Sequence, residues 1–220
     1  FNSENVTQNY RGNVDPRLDF TVGRIGMPFR GYTYNMQWCR AYDIYGEYSG
    51  KKGLIDPDSP DMVQGFPWGA SALNFCIIRY ADVLLWRAEA LIEKGEDLES
   101  ARGIINDIRN KSKRSVDPAY TPVDVNPIMA RYKVDPYPAT GWTQQYARKA
   151  LRMERRIELA MEGHRWFDLV RWGEAVTVIN KYMREEETLR PYYAEAEITE
   201  DEIYLSIPKD EVENSGGLYD

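Results

Sequence analysis

The stretch of sequence that decides the fold is Leu151-Arg-Met-Glu-Arg-Arg-Ile-Glu-Leu-Ala-Met-Glu-Gly-His-Arg-Trp-Phe-Asp-Leu-Val-Arg-Trp-Gly173. Apolar residues recur in it at helical spacing, and charged residues fill the positions between them. Glu154, Glu158 and Glu162 follow one another at every fourth position, so they are expected to share one helix face. Gly163 divides the run, because glycine readily ends a helix. The run therefore predicts two helices that meet at a charged corner.

Helical spacing continues on the amino-terminal side of this run. Tyr80 to Lys94 carries a broad apolar face, and Gly95 is expected to end that helix. Asp97 is a capping residue for a second helix that reaches about Ser112. Two helices joined by so short a turn form a hairpin. The small residues of this hairpin resemble those of a tetratricopeptide unit.

These patterns predict a mainly α-helical fold, with tetratricopeptide-like hairpins, a long loop-rich and aromatic-rich region, and few short strands. One domain, or two small ones, is expected, because 220 residues are enough to bury a core. Its predicted parts are a loop-rich segment over residues 1–72, the hairpin over 73–112, a proline-rich irregular insertion over 113–142, the helices of the charged run over 143–184, and an extended tail over 185–220. Thr143 is expected to cap the first helix of the charged run, which is predicted to extend to Glu162.

The loop-rich segment is crowded with aromatic residues, namely Tyr32, Tyr34, Trp38, Tyr42, Tyr45, Tyr48, Phe66 and Trp68. Flat aromatic rings stack on the apolar faces of sugars, and rigid rings lose little freedom on binding. The alternative is that most of these rings pack the loops onto the helices. Two or three are expected to touch a ligand. The candidate ligand-binding residues are Trp38, Tyr42, Tyr45, Trp68, Tyr34 and Arg40.

The charges of the run around Glu158 allow two interpretations. A carboxylate pair could act as the acid and base of a glycoside hydrolase if it flanked a cleft. Alternatively, the charges form internal ion pairs, with Arg155 reaching Glu158 or Glu162. The second interpretation is favoured, because the charged residues alternate with core-type residues such as Ile157 and Leu159.

Composition excludes several classes of function. The net charge of −7 disfavours nucleic-acid binding, and no stretch approaches the length of a membrane span. One histidine and two cysteines leave no catalytic triad and no zinc site, so no catalytic residue, metal or cofactor is predicted. Cys76 is expected to be buried and Cys39 exposed, and a bridge between them is left open. Asp56, Asp58 and Asp61 suit a surface turn better than a calcium site.

Four motifs resemble the SusD/RagB family. They are Asp15-Pro-Arg-Leu18, Ile78-Arg-Tyr-Ala-Asp-Val-Leu-Leu85, the run quoted above, and Tyr204-Leu-Ser-Ile-Pro-Lys-Asp-Glu211. The resemblance implies a non-enzymatic, lipid-anchored protein of the outer-membrane surface. Such a protein binds oligosaccharides or related nutrients over a SusC-like TonB-dependent transporter. It also implies a glycan site in the loops between the first two motifs.

The resemblance leaves part of the family pattern unmatched. The chain carries neither the lipid-bearing cysteine nor the amino-terminal half of that family, and Phe1 reads as mid-protein sequence. A fragment of a longer protein is therefore expected. The rival hypotheses are a tetratricopeptide-type adaptor, which accounts for the hairpin alone, and the glycoside hydrolase considered above.

Overall fold

The computed structural model describes residues 12–56, 58–63, 65, 70–116 and 130–218. They form two compact units divided between Gly163 and His164, and each unit is described by itself. In the first unit the α-helices are α1 (Arg17–Thr21), α2 (Tyr42–Tyr45), α3 (Tyr80–Lys94), α4 (Leu98–Arg114) and α5 (Gln144–Glu158). In the second unit they are α6 (His164–Arg171), α7 (Ala175–Glu186) and α8 (Lys209–Asn214). The predicted mainly helical fold is confirmed.

Within the described residues, every strand is two residues long and pairs with one other strand. They are β1 (Asn13–Val14), β2 (Val22–Gly23), β3 (Pro28–Phe29), β4 (Tyr32–Thr33), β5 (Ser49–Gly50), β6 (Met62–Val63), β7 (Ala70–Ser71) and β8 (Arg131–Tyr132). β1 pairs with β8 in parallel, whereas β2 with β5, β3 with β4, and β6 with β7 are antiparallel pairs. These short strand pairs connect neighbouring loops by backbone hydrogen bonds and form no large sheet among the described residues.

The core of the first unit lies where α3, α4 and α5 pack together. Its buried residues are Leu85, Ala88 and Ile92 from α3, Ala101, Ile105 and Ile108 from α4, and Ala147 and Leu151 from α5. One alanine from each helix is completely buried, so the backbones can approach closely. Trp142 closes the core at one end, and its indole N–H donates to the carbonyl of Leu98 at 2.8 Å.

The helix ends follow local chemistry. The Asp97 carboxylate accepts from the N–H of Ser100 at 3.1 Å, and the Thr143 hydroxyl accepts from the N–H of Tyr146 at 3.2 Å. Both predicted caps are therefore confirmed. Gly95 follows α3 with φ of 70°, a left-handed conformation that glycine adopts without strain.

Helix α5 ends at Glu158, earlier than the predicted Glu162. The carbonyl of Glu158 accepts hydrogen bonds from Arg79 at 2.5 Å and from Lys52 at 2.8 Å. Cations are favourable at a helix C-terminus, where the carbonyls have no partner within the helix. Two side chains from distant parts of the sequence therefore satisfy this end, which residue spacing within the run could not indicate.

The charged run forms a buried ion network. Glu154 is fully buried and binds Arg17 at 2.5 Å and Arg109 at 3.0 Å. Arg17 also binds Glu158 at 2.9 Å and Asp15 at 2.8 Å. The network thus connects α1, α4 and α5, and the internal-bracing interpretation is confirmed for these residues.

The predicted partner of Arg155 was wrong. Arg155 binds Asp82 of α3 at 2.8 Å, and both side chains are buried. Glu158 instead binds Arg17 and Arg79, which lie outside the run. A helical pattern shows which residues share a face, but it does not show which neighbouring element lies against that face.

Two segments without a predicted helix, the loop-rich segment and the extended tail, contain helices. α1 begins just after Pro16, where the carboxylate of Asp15 accepts from the N–H of Arg17 at 3.0 Å and turns the chain. α8 begins after Pro208, within the predicted extended tail. Asp210 and Glu211 lie in its first turn, where negative charge is stabilising.

Replacing Arg155 by alanine is expected to lower the free energy of unfolding by about 3–5 kcal/mol, because it removes the cation that binds a buried carboxylate. The matched control is Arg148→Ala on the same helix, whose partner Glu93 is exposed and whose loss should change stability little. Urea unfolding measures both variants. Equal stability of the two variants would show that the Arg155 pair does not brace the fold.

Candidate functional site

A cleft of about 480 Å³ opens in the loop-rich segment. It is lined by Phe29, Arg30, Tyr32, Trp38, Leu54 and Ile55. Three of these residues belong to the β3–β4 hairpin, in which Phe29 and Tyr32 are paired directly across the two strands. The cleft therefore combines aromatic rings, aliphatic side chains and one cationic group, a composition typical of small-molecule sites.

Trp38 is the best-supported ring in the cleft. Phe29, Tyr32 and Tyr34 contact its indole edge-on, with ring-centroid distances of 6.2, 6.3 and 5.3 Å. Such edge-to-face packing is favourable and holds the indole in one orientation. The side chain is nevertheless 41% exposed. Trp38 therefore offers a fixed aromatic surface to solvent, as a stacking ligand requires.

Tyr34 supports Trp38 from the interior. It is only 2% exposed, and its hydroxyl lies 2.8 Å from the thiol of Cys39 and 2.9 Å from the hydroxyl of Ser49. Burial and the contact with Cys39 raise the pKa of the Tyr34 phenol. The ring fits because Gly23 has no side chain, since a Cβ there would lie 2.3 Å from the ring.

The structure distributes the six predicted site residues differently. Trp38 lines the cleft, whereas Tyr34 is buried and lies outside the cleft lining, so its ligand contact stays a prediction. Tyr42 and Tyr45 are 50% and 66% exposed on α2, outside the cleft lining. The remaining two are Arg40, which is exposed, and Trp68, which lies outside the described residues together with Phe66.

Five lining residues are absent from the six predicted ones, namely Phe29, Arg30, Tyr32, Leu54 and Ile55, although Tyr32 belongs to the aromatic set noted in the sequence. A signal for the first two was present, because Phe29-Arg-Gly-Tyr32 places two aromatics around a two-residue turn containing glycine. Leu54 and Ile55 gave no such signal. They enter the cleft wall through tertiary packing alone.

The cysteine predictions were reversed. Cys39 is buried beside Tyr34, and Cys76 is exposed. Both thiols are free, so no bridge joins them. The apolar run that contains Cys76 lies at the surface before α3, and its Phe75 is 86% exposed. Hydrophobic sequence indicated burial here, but no described part of the chain covers this run.

The aspartate cluster is a turn, as predicted. The N–H of Asp58 donates to the carboxylate of Asp56 at 3.0 Å, and the N–H of Asp61 donates to the hydroxyl of Ser59 at 3.2 Å. Throughout the part of the chain that the structure describes, no group of three or more acidic, histidine or cysteine side chains could hold a metal ion.

A second cleft, of about 370 Å³, lies at the charged corner and is lined in part by Lys52, Arg79, Glu158 and Glu162. Burial raises the pKa of Glu158, but hydrogen bonds from Arg79 and Arg17 outweigh it, so that pKa is lowered overall. Burial likewise opposes the charge of Glu162, whose pKa is lowered overall by Arg79 and Lys52. Both carboxylates are therefore held ionised by their cations.

Known proteins resemble this chain over nearly its whole length. The model of the SusD family matches residues 2–220. The chain belongs to the SusD family. Its sequence is 34% identical over 106 residues to the SusD-like protein P38 of Formosa agariphila, a match that covers 48% of this chain and 18% of that protein. None of the described helices combines the length and hydrophobicity of a membrane span.

A solved SusD superfamily protein from Bacteroides vulgatus is similar in structure, with a TM-score of 0.50 and 25% sequence identity. That similarity covers 92% of this chain and 38% of the Bacteroides protein. The chain thus spans less than half the length of either relative. The family is one of carbohydrate- and nutrient-binding proteins, which agrees with an aromatic cleft in the loop-rich segment.

Replacing Gly23 by alanine is expected to displace Tyr34 and to lower the free energy of unfolding by about 1–3 kcal/mol, since the new methyl group overfills the site. Gly103→Ala is the control. Gly103 lies inside α4 with no atom near its Cβ position, so alanine there should stabilise by about 0.5–1 kcal/mol. Urea unfolding compares the variants. A Gly23→Ala protein as stable as the parent would contradict the role given to Tyr34.

Proposed function

We propose that this chain binds oligosaccharides at the cleft around Trp38 and does not alter them chemically. The full-length protein would present them at the outer-membrane surface to a SusC-like TonB-dependent transporter. A lipid anchor outside this chain would hold it there. The observation that carries the proposal is the exposed indole of Trp38, fixed by three surrounding rings.

The chemistry of the cleft fits a sugar. A pyranose ring presents an apolar C–H face, which stacks on an indole, and a rim of hydroxyls, which need hydrogen-bond partners. The hydroxyl of Tyr32 and the guanidinium of Arg30 supply polar groups beside the aromatic wall. Because the indole is already fixed, little side-chain freedom would be lost on binding.

The electrostatics of the charged corner argue against the glycoside hydrolase. The acid of such an enzyme must hold a proton near neutral pH, so its pKa must be raised. The pKa values of Glu158 and Glu162 are lowered instead. Glu154 is fully buried between two arginines and offers no surface to a substrate.

The adaptor hypothesis accounts for less of the structure. It assigns a role to the α3–α4 hairpin but none to the cleft. The outer side of α3 exposes Tyr80, Val83 and Trp86, at 75%, 44% and 42%. Exposed apolar side chains in a row suit contact with protein. Within the proposed function, this face is assigned to protein contact, and the cleft is assigned to the glycan.

Replacing Trp38 by alanine is expected to weaken oligosaccharide binding by at least about thirtyfold, since truncating a central aromatic anchor typically costs about 2 kcal/mol or more. Trp86→Ala is the matched control, because it removes a tryptophan of nearly equal exposure from α3, outside the lining of the cleft. A glycan array selects the ligand, and isothermal titration measures both variants.

Three results would overturn the proposal. The first is an affinity that Trp38→Ala leaves unchanged while the protein remains folded. The second is the release of reducing ends from the selected oligosaccharide, which would restore the hydrolase hypothesis. Equal loss in both tryptophan variants would mean that binding reports general instability rather than a site at Trp38, and would likewise count against it.

A further inference from the structure

The turn that carries Arg30 into the cleft has an unfavourable sequence. Arg30 and Gly31 join β3 to β4, and both have positive φ, at 49° and 80°. This is the signature of the tight hairpin turn in which asparagine, aspartate or glycine is preferred first and glycine second. Glycine occupies its usual place, but arginine occupies a position whose left-handed backbone conformation is unfavourable for a residue with a Cβ. Local folding therefore does not explain why the residue is arginine.

The position of the guanidinium suggests the reason. It lies 5.6 Å from the centre of the Phe29 ring, and one nitrogen donates to the carbonyl of Leu54 at 3.3 Å. Arg30 is the one ionisable side chain of Arg, Lys, Asp or Glu type that lines the cleft among the described residues. An arginine carries five N–H donors in a planar fork that matches carboxylate and sulfate oxygens. Most of that fork remains available to a ligand.

A second cation adds to the positive potential at this end. The ammonium of Lys51 lies 4.9 Å from the centre of the Phe29 ring and is anchored to the backbone carbonyl of Asp19. Phe29 is therefore flanked by two cations. Charges in a partly desolvated cleft interact more strongly with a ligand than the same charges on an open surface.

We propose that Arg30 binds an acidic group on the sugar, so that the cleft selects anionic oligosaccharides. The shared chemistry is a negative group on a pyranose ring, either the carboxylate of a uronic acid or a sulfate ester. This inference rests on the proposed function, because it specifies the ligand of the same cleft. The aromatic wall binds the ring face, and the Arg30 fork binds the acid.

The opposite charge near Tyr32 gives the bound sugar a direction. The hydroxyl of Tyr32 donates to the carboxylate of Asp58 at 3.1 Å. A ligand acid would be repelled there, so it lies toward Arg30, and neutral hydroxyls lie toward Tyr32 and Asp58. Replacing Asp58 by asparagine is therefore expected to strengthen the binding of an acidic sugar about two- to fivefold.

The test uses matched pairs of glycans on an array. Oligogalacturonates are paired with their methyl esters, and sulfated galactose oligosaccharides with their desulfated forms. The chain is expected to bind at least one acidic member at least about tenfold more tightly than its neutral partner, because charge-assisted hydrogen bonds are the strong ones. The carboxylate and sulfate arms distinguish the two sources of the acid.

Arg30→Asn is the decisive variant, because asparagine is favoured in this turn. It is expected to fold at least as stably as the parent and to lose the tenfold preference for the acidic member of a pair over its neutral partner. Arg148→Gln removes the same charge from the exposed surface of α5 and should leave the preference unchanged.

Each of the other outcomes contradicts a different part of the inference. Equal binding within every pair, or binding of neutral members only, refutes anion selection while leaving the glycan site standing. A preference that survives in Arg30→Asn refutes the role of Arg30. Binding of no array member by a folded chain refutes the proposed function itself, and the inference with it.

Discussion

The structure depends most on the ion pairs that Arg17 makes across the first unit. One guanidinium binds Asp15 in its own segment and both Glu154 and Glu158 in α5. Because Glu154 is fully buried, loss of its cations would leave a charge in the interior, at a cost of several kcal/mol. The loop-rich segment is therefore held against the helices by these ion pairs.

This fastening also positions the candidate site. Lys52 binds Glu162 at 2.5 Å and precedes Leu54 and Ile55, which form part of the cleft wall. Asp19 follows Arg17 along α1 and holds Lys51, whose ammonium lies over Phe29. The charged run, residues 151–173, thus contributes no residue to the lining of the Trp38 cleft. Its ion pairs with Arg17 and Lys52 instead determine where the walls of the cleft are held.

Much of the scaffold could be predicted from the sequence, because helical periodicity and caps are local. The bounds of α3 and the caps Asp97 and Thr143 were correct for that reason. The ion partners and the lining of the cleft depend on contacts between distant segments, which residue spacing within one segment does not reveal. Tyr34 illustrates the limit. Its aromatic character predicts a ligand contact. In the structure its ring packs against Gly23, where the missing side chain leaves room, and this contact cannot be seen in the sequence.

The most direct test of this account is a crystal structure of the chain with the oligosaccharide that it binds most tightly. The expected result is a sugar ring stacked on the indole of Trp38, with the β3–β4 hairpin beside it and the charged corner free of ligand. A sugar seated instead between Glu158 and Glu162, with the Trp38 cleft empty, would contradict it. That result would support the interpretation of the charged run as an active site.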